Sequence, residues 1–403
     1  MPRPNLPITG EGKTAGSAAG FTSFLAGDGV TGPVDWAAIR AQFPALNHFT
    51  YLNTATYGQT PRSAIAGLGA HLARRDEHAC SDFLSWFDDV ERLRLDIGQL
   101  IGCAAEDIAL LATASAALSL LIGGIDWRAG DRVVTLTNEF PNNLYYQALL
   151  GDRGVEFVET PWEKFWDEVA KPGTRLVALS SVSYVTGFRP PLNEIARELD
   201  RRNILFYVDG TQSVGALQMN VSSFEPAMMA VDAYKWMLTP NGAGFVYVHP
   251  RVRQWLKPAV IGWRSHRDWR SVGNLHTGAP EFSPNAEKYE GGMLPFPLLY
   301  TLHEVIRLMR EIGPDAIERR VMGLADDLRA RLRAMHATVL HERAPIIAAR
   351  SPSGFPEASA MALRLKERGV LVSARHGNLR ISPHFYNNES DLSRFERELQ
   401  LLG

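Results

Sequence analysis

Cysteine is scarce in this chain: Cys80 and Cys103 are the only two thiols in 403 residues. Their spacing matches no metal-binding pattern, so no metal site is expected. So few thiols in a chain of this size suggest a reducing compartment. Charge of either sign is not in excess. There are 42 Lys and Arg against 44 Asp and Glu, a formal net charge of −2. That excludes the global basic field of a nucleic-acid or anionic-membrane binder. No apolar run is long enough to span a bilayer, and the N-terminus lacks a basic-then-apolar leader. We therefore expect a cytoplasmic protein without nucleic-acid or membrane partners. A G-x-G-x-x-G between an early strand and its helix is also missing, which argues against a dinucleotide-binding enzyme. The glycines of "NGAGF" precede a strand instead.

What remains is an ordinary globular balance, 45% hydrophobic and 21% charged, in a chain long enough for a large core. Residues 1–33 are rich in Gly, Ala, Ser, Thr and Pro and read as a flexible arm. Beyond them strands and helices alternate. Strand-like runs at 107–113, 131–137, 175–183, 204–210 and 242–249 are separated by helical runs at 115–125, 142–154 and 192–203. Short, nearly continuous apolar strands between helices indicate a mostly parallel sheet covered on both faces, an α/β fold. Residues 298–313 and 316–335 are long amphipathic helices, followed by short strands and a closing helix from Glu389. We expect a large domain over 34–297, with 34–50 packing near a small C-terminal α+β domain over 298–403.

One lysine stands out. Lys235 lies between Tyr234 and Trp236, next to the apolar run "GAGFVYVH". Burying an amine costs several kcal/mol unless its charge is compensated. Asp209 ends the strand "LFYVD", at the sheet edge where ligands bind in open α/β folds. An acid there also serves as a helix cap. An acid and a lysine converging on one sheet edge suit pyridoxal phosphate: the lysine forms a Schiff base with the aldehyde, and the aspartate keeps the pyridine nitrogen protonated. A phosphate cradle is available in "ATASAALSLL", where small residues open a helix and Ser115 offers a hydroxyl. Small residues open ordinary helices too. Phe140, just past the strand "DRVVTLT", is placed to stack on a ring or to fill the core.

At these residues the chain resembles the class V aminotransferase family of fold type I pyridoxal-phosphate enzymes, which includes cysteine desulfurases, selenocysteine lyases, kynureninases and isopenicillin N epimerase-like proteins. The resemblance runs from about residue 36 to 403, with its motifs in the family's order. "YLNTAT" (51–56) resembles the entry segment beside the substrate, which implies substrate contacts from Asn53 and Thr54. "TASAALS" resembles the phosphate loop, with Ala114 and Ser115 at phosphate-contacting positions. "NEFPNN" resembles the ring-stacking segment. "SVSYVTGFRPPL" resembles the loop near the phenolic oxygen, with Tyr184 where an Asn often stands. "YVDGTQSVGA" holds the pyridine partner Asp209 and a phenolic-oxygen contact, Gln212. "AYKWMLTPNGAGFVYV" holds the Schiff-base Lys235. "LRISPHFYNNESDL" resembles the C-terminal motif whose arginine, here Arg380, grips the substrate carboxylate.

Three departures bear on the reaction. Desulfurases carry a mobile cysteine shortly before the arginine motif; "VSARHGNLRIS" has none, so desulfuration is not expected. Desulfurases also tend to stack a histidine on the ring, whereas Phe140 stands here, which leaves proton transfer to Lys235. Met293 replaces a Thr that relatives often offer to the phosphate across a dimer interface, and Trp263 is a candidate to reach the neighbouring phosphate instead. Asp232 stands where relatives often have Ser. Because a carboxylate repels phosphate, Tyr234 is expected to make that contact and Asp232 to point away. Asn143, Arg264 and His266 are further candidates. His376 and His384 flank Arg380 and are read as packing or capping residues. The resemblance thus implies a homodimeric pyridoxal-phosphate enzyme acting on a small amino acid, with its active site at the dimer interface. Transamination ranks first, a β-lyase or kynureninase-like hydrolase second and an epimerase third. A chain that kept the fold and lost catalysis is argued against by the retained Lys235, Asp209 and Arg380.

Overall fold

The computed structural model describes residues 33–351 and 353–403. The arm expected over 1–33 lies outside the described residues, save Pro33. At the centre is a seven-stranded sheet of β1 (Ile108–Ala109), β2 (Arg132–Leu136), β3 (Glu156–Thr160), β4 (Thr174–Ser180), β5 (Leu205–Asp209), β6 (Met228–Asp232) and β7 (Gly244–Val248). Their order is β1-β7-β6-β5-β4-β2-β3. Strands β2 to β6 run parallel, while β7 is antiparallel to both β6 and β1. Every residue of β2, β6 and β7 is buried, as a sheet covered on both faces requires.

The reversal of β7 positions the site. An antiparallel neighbour can be joined without a crossover helix. The chain leaving β6 therefore stays at the C-terminal edge of the parallel strands through residues 233–243 and re-enters as β7. Lys235 lies on that connection, beside the C-terminal end of β5 where Asp209 sits. Two strands escape the sequence pattern. β3, "EFVET", is an edge strand with only Thr160 buried. β6, "MMAVD", is rich in Met and Ala, which carry little β signal. The helix expected over 142–154 is broken into two 3-10 turns flanking Tyr145–Ala148. Helices Arg62–His78 and Phe83–Ile101, absent from the sequence reading, pack against Phe296–Ile312. The Phe296 ring lies 5.0 Å from Phe87 and 5.4 Å from Trp86.

The C-terminal part has its own sheet, ordered Ser373–Arg375, Asn378–Ile381, Ile347–Arg350, Thr338–Val339, all antiparallel. Helices Pro314–Ala334, Ala358–Glu367 and Glu389–Gln400 cover it around a core that includes Leu328, Ile347, Leu379 and Phe395. Residues from the start of the described chain are stitched into this part. Thr50–Tyr51 pairs in parallel with Val370–Leu371, Asn53 bridges Ser382, and Arg40 pairs with Asp391 at 2.7 Å. No helix among the described residues is long and apolar enough to cross a membrane.

Candidate active site

Lys235 is 7% exposed. Burial pushes its amine down to about 8; Asp209 and Asp232 pull the other way, while Arg380 and Arg375 deepen the depression. Its Nζ lies 5.1 Å from the centre of the Phe140 ring and 5.5 Å from that of Tyr234, so Phe140 faces the lysine. The entry segment reaches the same place through Gly58, whose N–H donates to the Tyr234 carbonyl at 2.9 Å. A Cβ on Gly58 would stand 2.0 Å from the Lys235 carbonyl oxygen, so only glycine permits this approach.

Asp209 is buried at the end of β5, and one of its carboxylate oxygens accepts the Thr211 N–H at 2.9 Å. It therefore caps the turn, and its second oxygen is left for another partner. Gln212 is also buried. Its carbonyl accepts Trp236 Nε1–H at 2.8 Å and its amide donates to Ala55 O at 3.1 Å. One amide hydrogen is left over.

The helix Ala114–Gly124 begins next to these residues. Thr113 caps it through Ala116 N at 3.2 Å. Ser115 is half-buried near the first turn. The expectation that Asp232 points away is overturned: its carboxylate accepts the Ala114 N–H at 2.6 Å. A buried carboxylate needs a donor, and a free amide at a helix N-terminus, favoured by the helix dipole, supplies one. Burial and the neighbouring Asp209 push the Asp232 carboxyl up to about 6. Tyr234 packs against Tyr57, ring centres 5.1 Å apart, and burial pushes its hydroxyl up to about 12.

Arg380 is buried, and among the described residues no acid pairs with it. Its guanidinium donates to Ser373 Oγ at 3.0 Å, to the Tyr184 carbonyl at 2.9 Å and to Thr56 Oγ1 at 2.5 Å. Burial, then the nearby Arg375 charge, push it down to about 9. The hydroxyl that meets Arg380 is that of Thr56, which replaces Thr54 of the sequence reading. Thr54 is wholly buried and bonded to the Tyr386 hydroxyl at 2.7 Å. A two-residue step along an extended segment keeps the same face, but the turn after Asn53 breaks that alternation. Asn53 supports Thr56 by accepting its hydroxyl at 2.8 Å. Tyr184 lies edge-on to Phe140, centres 5.1 Å apart, with its hydroxyl 3.3 Å from His376 Nε2.

A buried, depressed amine thus sits beside an aromatic face, two carboxylates, a helix N-terminus and a guanidinium free of acids. The family model for "Aminotransferase class-V" matches residues 72–395. The chain belongs to the class-V aminotransferase family. Among curated relatives, isopenicillin N epimerase of Streptomyces clavuligerus is 28% identical over 399 residues, 91% of this chain and 98% of that one. A probable cysteine desulfurase of Methanothermobacter thermautotrophicus is 25% identical over 305 residues, 72% of this chain and 74% of that one. Among solved structures, the cystine C-S lyase C-DES in complex with cysteine persulfide matches with a TM-score of 0.82 at 22% identity, covering 90% of this chain and 100% of that one. The apo cysteine desulfurase of Thermococcus onnurineus NA1 matches at 0.80 and 20%, covering 91% and 98%. These structures share the fold.

Class-V aminotransferases use pyridoxal phosphate, and most of the residues gathered here suit it. The buried amine, the strand-end acid, the aromatic face and the helix N-terminus meet the needs of aldehyde, ring and phosphate. Asp232 is the discordant member. Other candidates belong to the scaffold. Arg264 is fully buried between Phe87 and Trp269 (4.9 and 4.7 Å to the ring centres) and pairs with Glu290 at 2.8 Å, so it is a structural cation. Trp263 belongs to the same aromatic cluster, 5.5 Å from Trp269. His266 stacks on His276. Met293 is exposed. His384 is buried against Trp236, bonded to its carbonyl at 2.9 Å. Asn143 is buried and donates to Glu139 at 3.1 Å and to Ser180 at 3.2 Å. Glu139, missed in the sequence, immediately precedes Phe140 and is buried, and burial raises its carboxyl. Its only sequence signal was adjacency to that ring.

Proposed function

We propose that this chain is a pyridoxal-phosphate aminotransferase acting on a small α-amino acid. One observation carries the reading: a short chain of contacts joins the Lys235 amine and the Arg380 guanidinium. Arg380 donates to the Tyr184 carbonyl at 2.9 Å, the Tyr184 ring lies 5.1 Å from Phe140, and Phe140 lies 5.1 Å from Lys235 Nζ, as a nucleophile and a carboxylate clamp for one small substrate require. Bound pyridoxal phosphate supplies an electron sink for charge left at the substrate Cα. Lys235 offers a neutral amine for attachment, and its Nζ then takes and returns the Cα proton. Asp209, through its free oxygen, would keep the ring nitrogen protonated. Phe140, with Tyr184 edge-on to it, would hold the ring. The remaining N–H of Gln212 would serve the phenolic oxygen, and Ala114, Ser115 and Tyr234 would receive the phosphate. Arg380, steadied by Thr56 and Asn53, fixes the α-carboxylate and so the plane of the reacting bond.

We read the cofactor-binding domain as extending through the helix Phe296–Ile312, whose Leu302 and Ile306 share a core with Phe87 and Val90. The boundary expected at 298 thus moves to the end of that helix. We read the functional unit as a cytoplasmic homodimer. Val260, Ile261 and Met293 are 66, 58 and 60% exposed. Their segments touch, since a Cβ on Gly291 would lie 2.9 Å from Val260 Cγ1. An apolar patch of this kind supports a subunit contact, across which Trp263 would approach the neighbouring site. We do not propose desulfuration, because burial pushes the Cys103 thiol up to about 12 and the hairpin before Arg380 has no thiol. Epimerisation is the second reading, favoured by the relative aligned over 98% of its length. Mixing the holoenzyme with an amino-acid panel, while assaying keto acid, ammonia, sulfide and inversion at Cα, separates these outcomes. Keto acid appearing with stoichiometric amino transfer supports the first reading; inversion without keto acid sinks it.

A further inference from the structure

A second cation stands on the face of the hairpin that holds Arg380. In an antiparallel pair, opposed residues share a face, and so do residues two apart on one strand. Ser373 opposes Arg380, and its hydroxyl accepts the Arg380 Nε–H at 3.0 Å. Arg375 lies two residues beyond Ser373, so its side chain leaves the hairpin on the Arg380 side. The other face is apolar, with Ala374 opposite Leu379 in the C-terminal core. Arg375 is half-buried. Its guanidinium makes one hydrogen bond among the described residues, from Nη1 to the adjacent Ala374 carbonyl at 2.7 Å. Most of its five donors are left open.

The hairpin face shared by Arg375 and Arg380 leads to the reacting amine: Arg380 donates to the Tyr184 carbonyl at 2.9 Å, the Tyr184 ring lies 5.1 Å from Phe140, and Phe140 lies 5.1 Å from Lys235 Nζ. Two guanidinium groups on one face without a carboxylate between them repel each other. Folding tolerates such a pair where an anion is to be received. Arg380 is the deeper of the two, held by three neutral supports, Ser373, Tyr184 and Thr56. Arg375 is nearer the hairpin turn and beside His376, whose Nε2 lies 3.3 Å from the Tyr184 hydroxyl.

We propose, building on the amino-acid reading above, that the substrate is an acidic amino acid whose side-chain carboxylate is received by Arg375 while Arg380 holds its α-carboxylate. Arg375 is then the specificity-determining residue of the site. A planar guanidinium suits a carboxylate better than a neutral side chain, because charge and fork geometry both match.

Titrating the holoenzyme with L-aspartate, L-glutamate, L-alanine and L-norvaline, and following the visible spectrum of the cofactor, gives a Kd for each without requiring turnover. One of the two acids should bind about ten- to a hundredfold more tightly than both neutral amino acids. Arg375→Gln should weaken that acid by a similar factor more than it weakens alanine. Arg375→Lys should recover part of the preference, since charge returns without the fork; a merely structural arginine would show no such recovery. Equal affinities for acids and neutral amino acids in the unaltered enzyme overturn the proposal and leave the amino-acid reading standing. So does an Arg375→Gln loss of equal size for glutamate and alanine. No spectral response to any of the four overturns the amino-acid reading, and this proposal with it.

Discussion

The Asp232 carboxylate accepts the backbone N–H of Ala114 at 2.6 Å, holding the helix N-terminus that the cofactor phosphate is proposed to use. A carboxylate and a phosphate at one helix end repel each other, so phosphate binding favours a protonated or displaced Asp232. Its pKa is raised from the ordinary 3.8 to about 6. A carboxyl raised on folding lends stability when protonated, in full below the unfolded pKa. That contribution fades as pH rises through about 6. Asp232→Asn keeps an acceptor for Ala114 and removes the charge. We predict that the variant binds pyridoxal phosphate more tightly, by about tenfold above pH 6, with the advantage shrinking toward pH 4. The phosphate titrates near 6 as well, so the quantity to read is the ratio of the two proteins' Kd values at each pH. A ratio independent of pH would count against the charge of Asp232.

Lys235 gives a second pH signature. Its amine is depressed to about 8, and only the neutral amine attacks an aldehyde. The rate at which apoprotein attaches pyridoxal phosphate should rise with pH and level off above about 8, as followed by stopped-flow absorbance. The same depression makes Lys235 a stability burden below that pH, because a depressed amine lends its stability only above the unfolded pKa of 10.5 and loses it as pH falls through 8. Lys235→Ala should abolish turnover and the visible band while retaining cofactor through its phosphate contacts. Turnover at the normal rate in Lys235→Ala would falsify the central assignment.

Much of this site was legible because its chemistry is concentrated at strand ends. Asp209 and Phe140 each follow a recognisable apolar strand, Lys235 precedes one, and the structure gathers them at one sheet edge. The antiparallel setting of β7 was not legible, since a buried strand reads the same in either direction. Asp232 departs from expectation because the pull of an unpaired helix amide, Ala114 N–H, outweighs the repulsion expected from a phosphate. Thr54 is implied by the resemblance of the entry segment alone, and the turn after Asn53 carries it into the core against Tyr386 while Thr56 meets Arg380. Arg375 was passed over because cross-strand register, which decides its face, depends on the hairpin at Gly377. Helices Arg62–His78 and Phe83–Ile101 were overlooked outright. The second carries a clear apolar stripe through Phe87, Val90, Leu93 and Ile97, so a closer reading of periodicity would have found it.

The exposed patch of Val260, Ile261 and Met293 makes the dimer testable. Replacing Ile261 with Arg puts a charge on that patch without entering the core. Sedimentation velocity should show the unaltered enzyme as a dimer and Ile261→Arg as predominantly monomer, with weakened cofactor retention if the neighbouring subunit contributes to the phosphate site. A fully active monomer in the unaltered protein would remove the shared-site reading.

The cysteines are predicted to be dispensable. Cys103 is held far from its reactive thiolate form by burial, and both thiols lie outside the hairpin that carries Arg380. Changing Cys80 and Cys103 to Ala should leave the natural reaction within about threefold, with at most a packing cost of about 1–2 kcal/mol in stability. Mass spectrometry finding a persulfide on either residue during turnover would redirect the assignment toward desulfuration.

Arg380 ties the substrate class to one side chain. Its guanidinium is depressed to about 9 by burial, yet three neutral oxygens, from Ser373, Tyr184 and Thr56, hold its nitrogens. Such a group gains most when a carboxylate arrives, because the anion restores the charge that burial disfavours. Lysine would bring one ammonium on a flexible stem and could not satisfy the same three acceptors while presenting a flat fork. We therefore predict that Arg380→Lys keeps the cofactor and its spectrum but loses about 2–4 kcal/mol in kcat/KM, the scale for disrupting a buried charged hydrogen-bond pair. The loss should fall on both kcat and KM, because the carboxylate is bound in the ground state and its plane sets the geometry of Cα–H cleavage. A Thr56→Val variant should weaken the same parameters in the same direction by a smaller amount, since it removes one support and leaves the charge. Thr54→Val should affect stability instead, through the buried hydroxyl pair with Tyr386. If Arg380→Lys turned over its natural substrate at full efficiency, the substrate would not be held by a carboxylate at this position, and an amine or an amino alcohol would fit the pocket better.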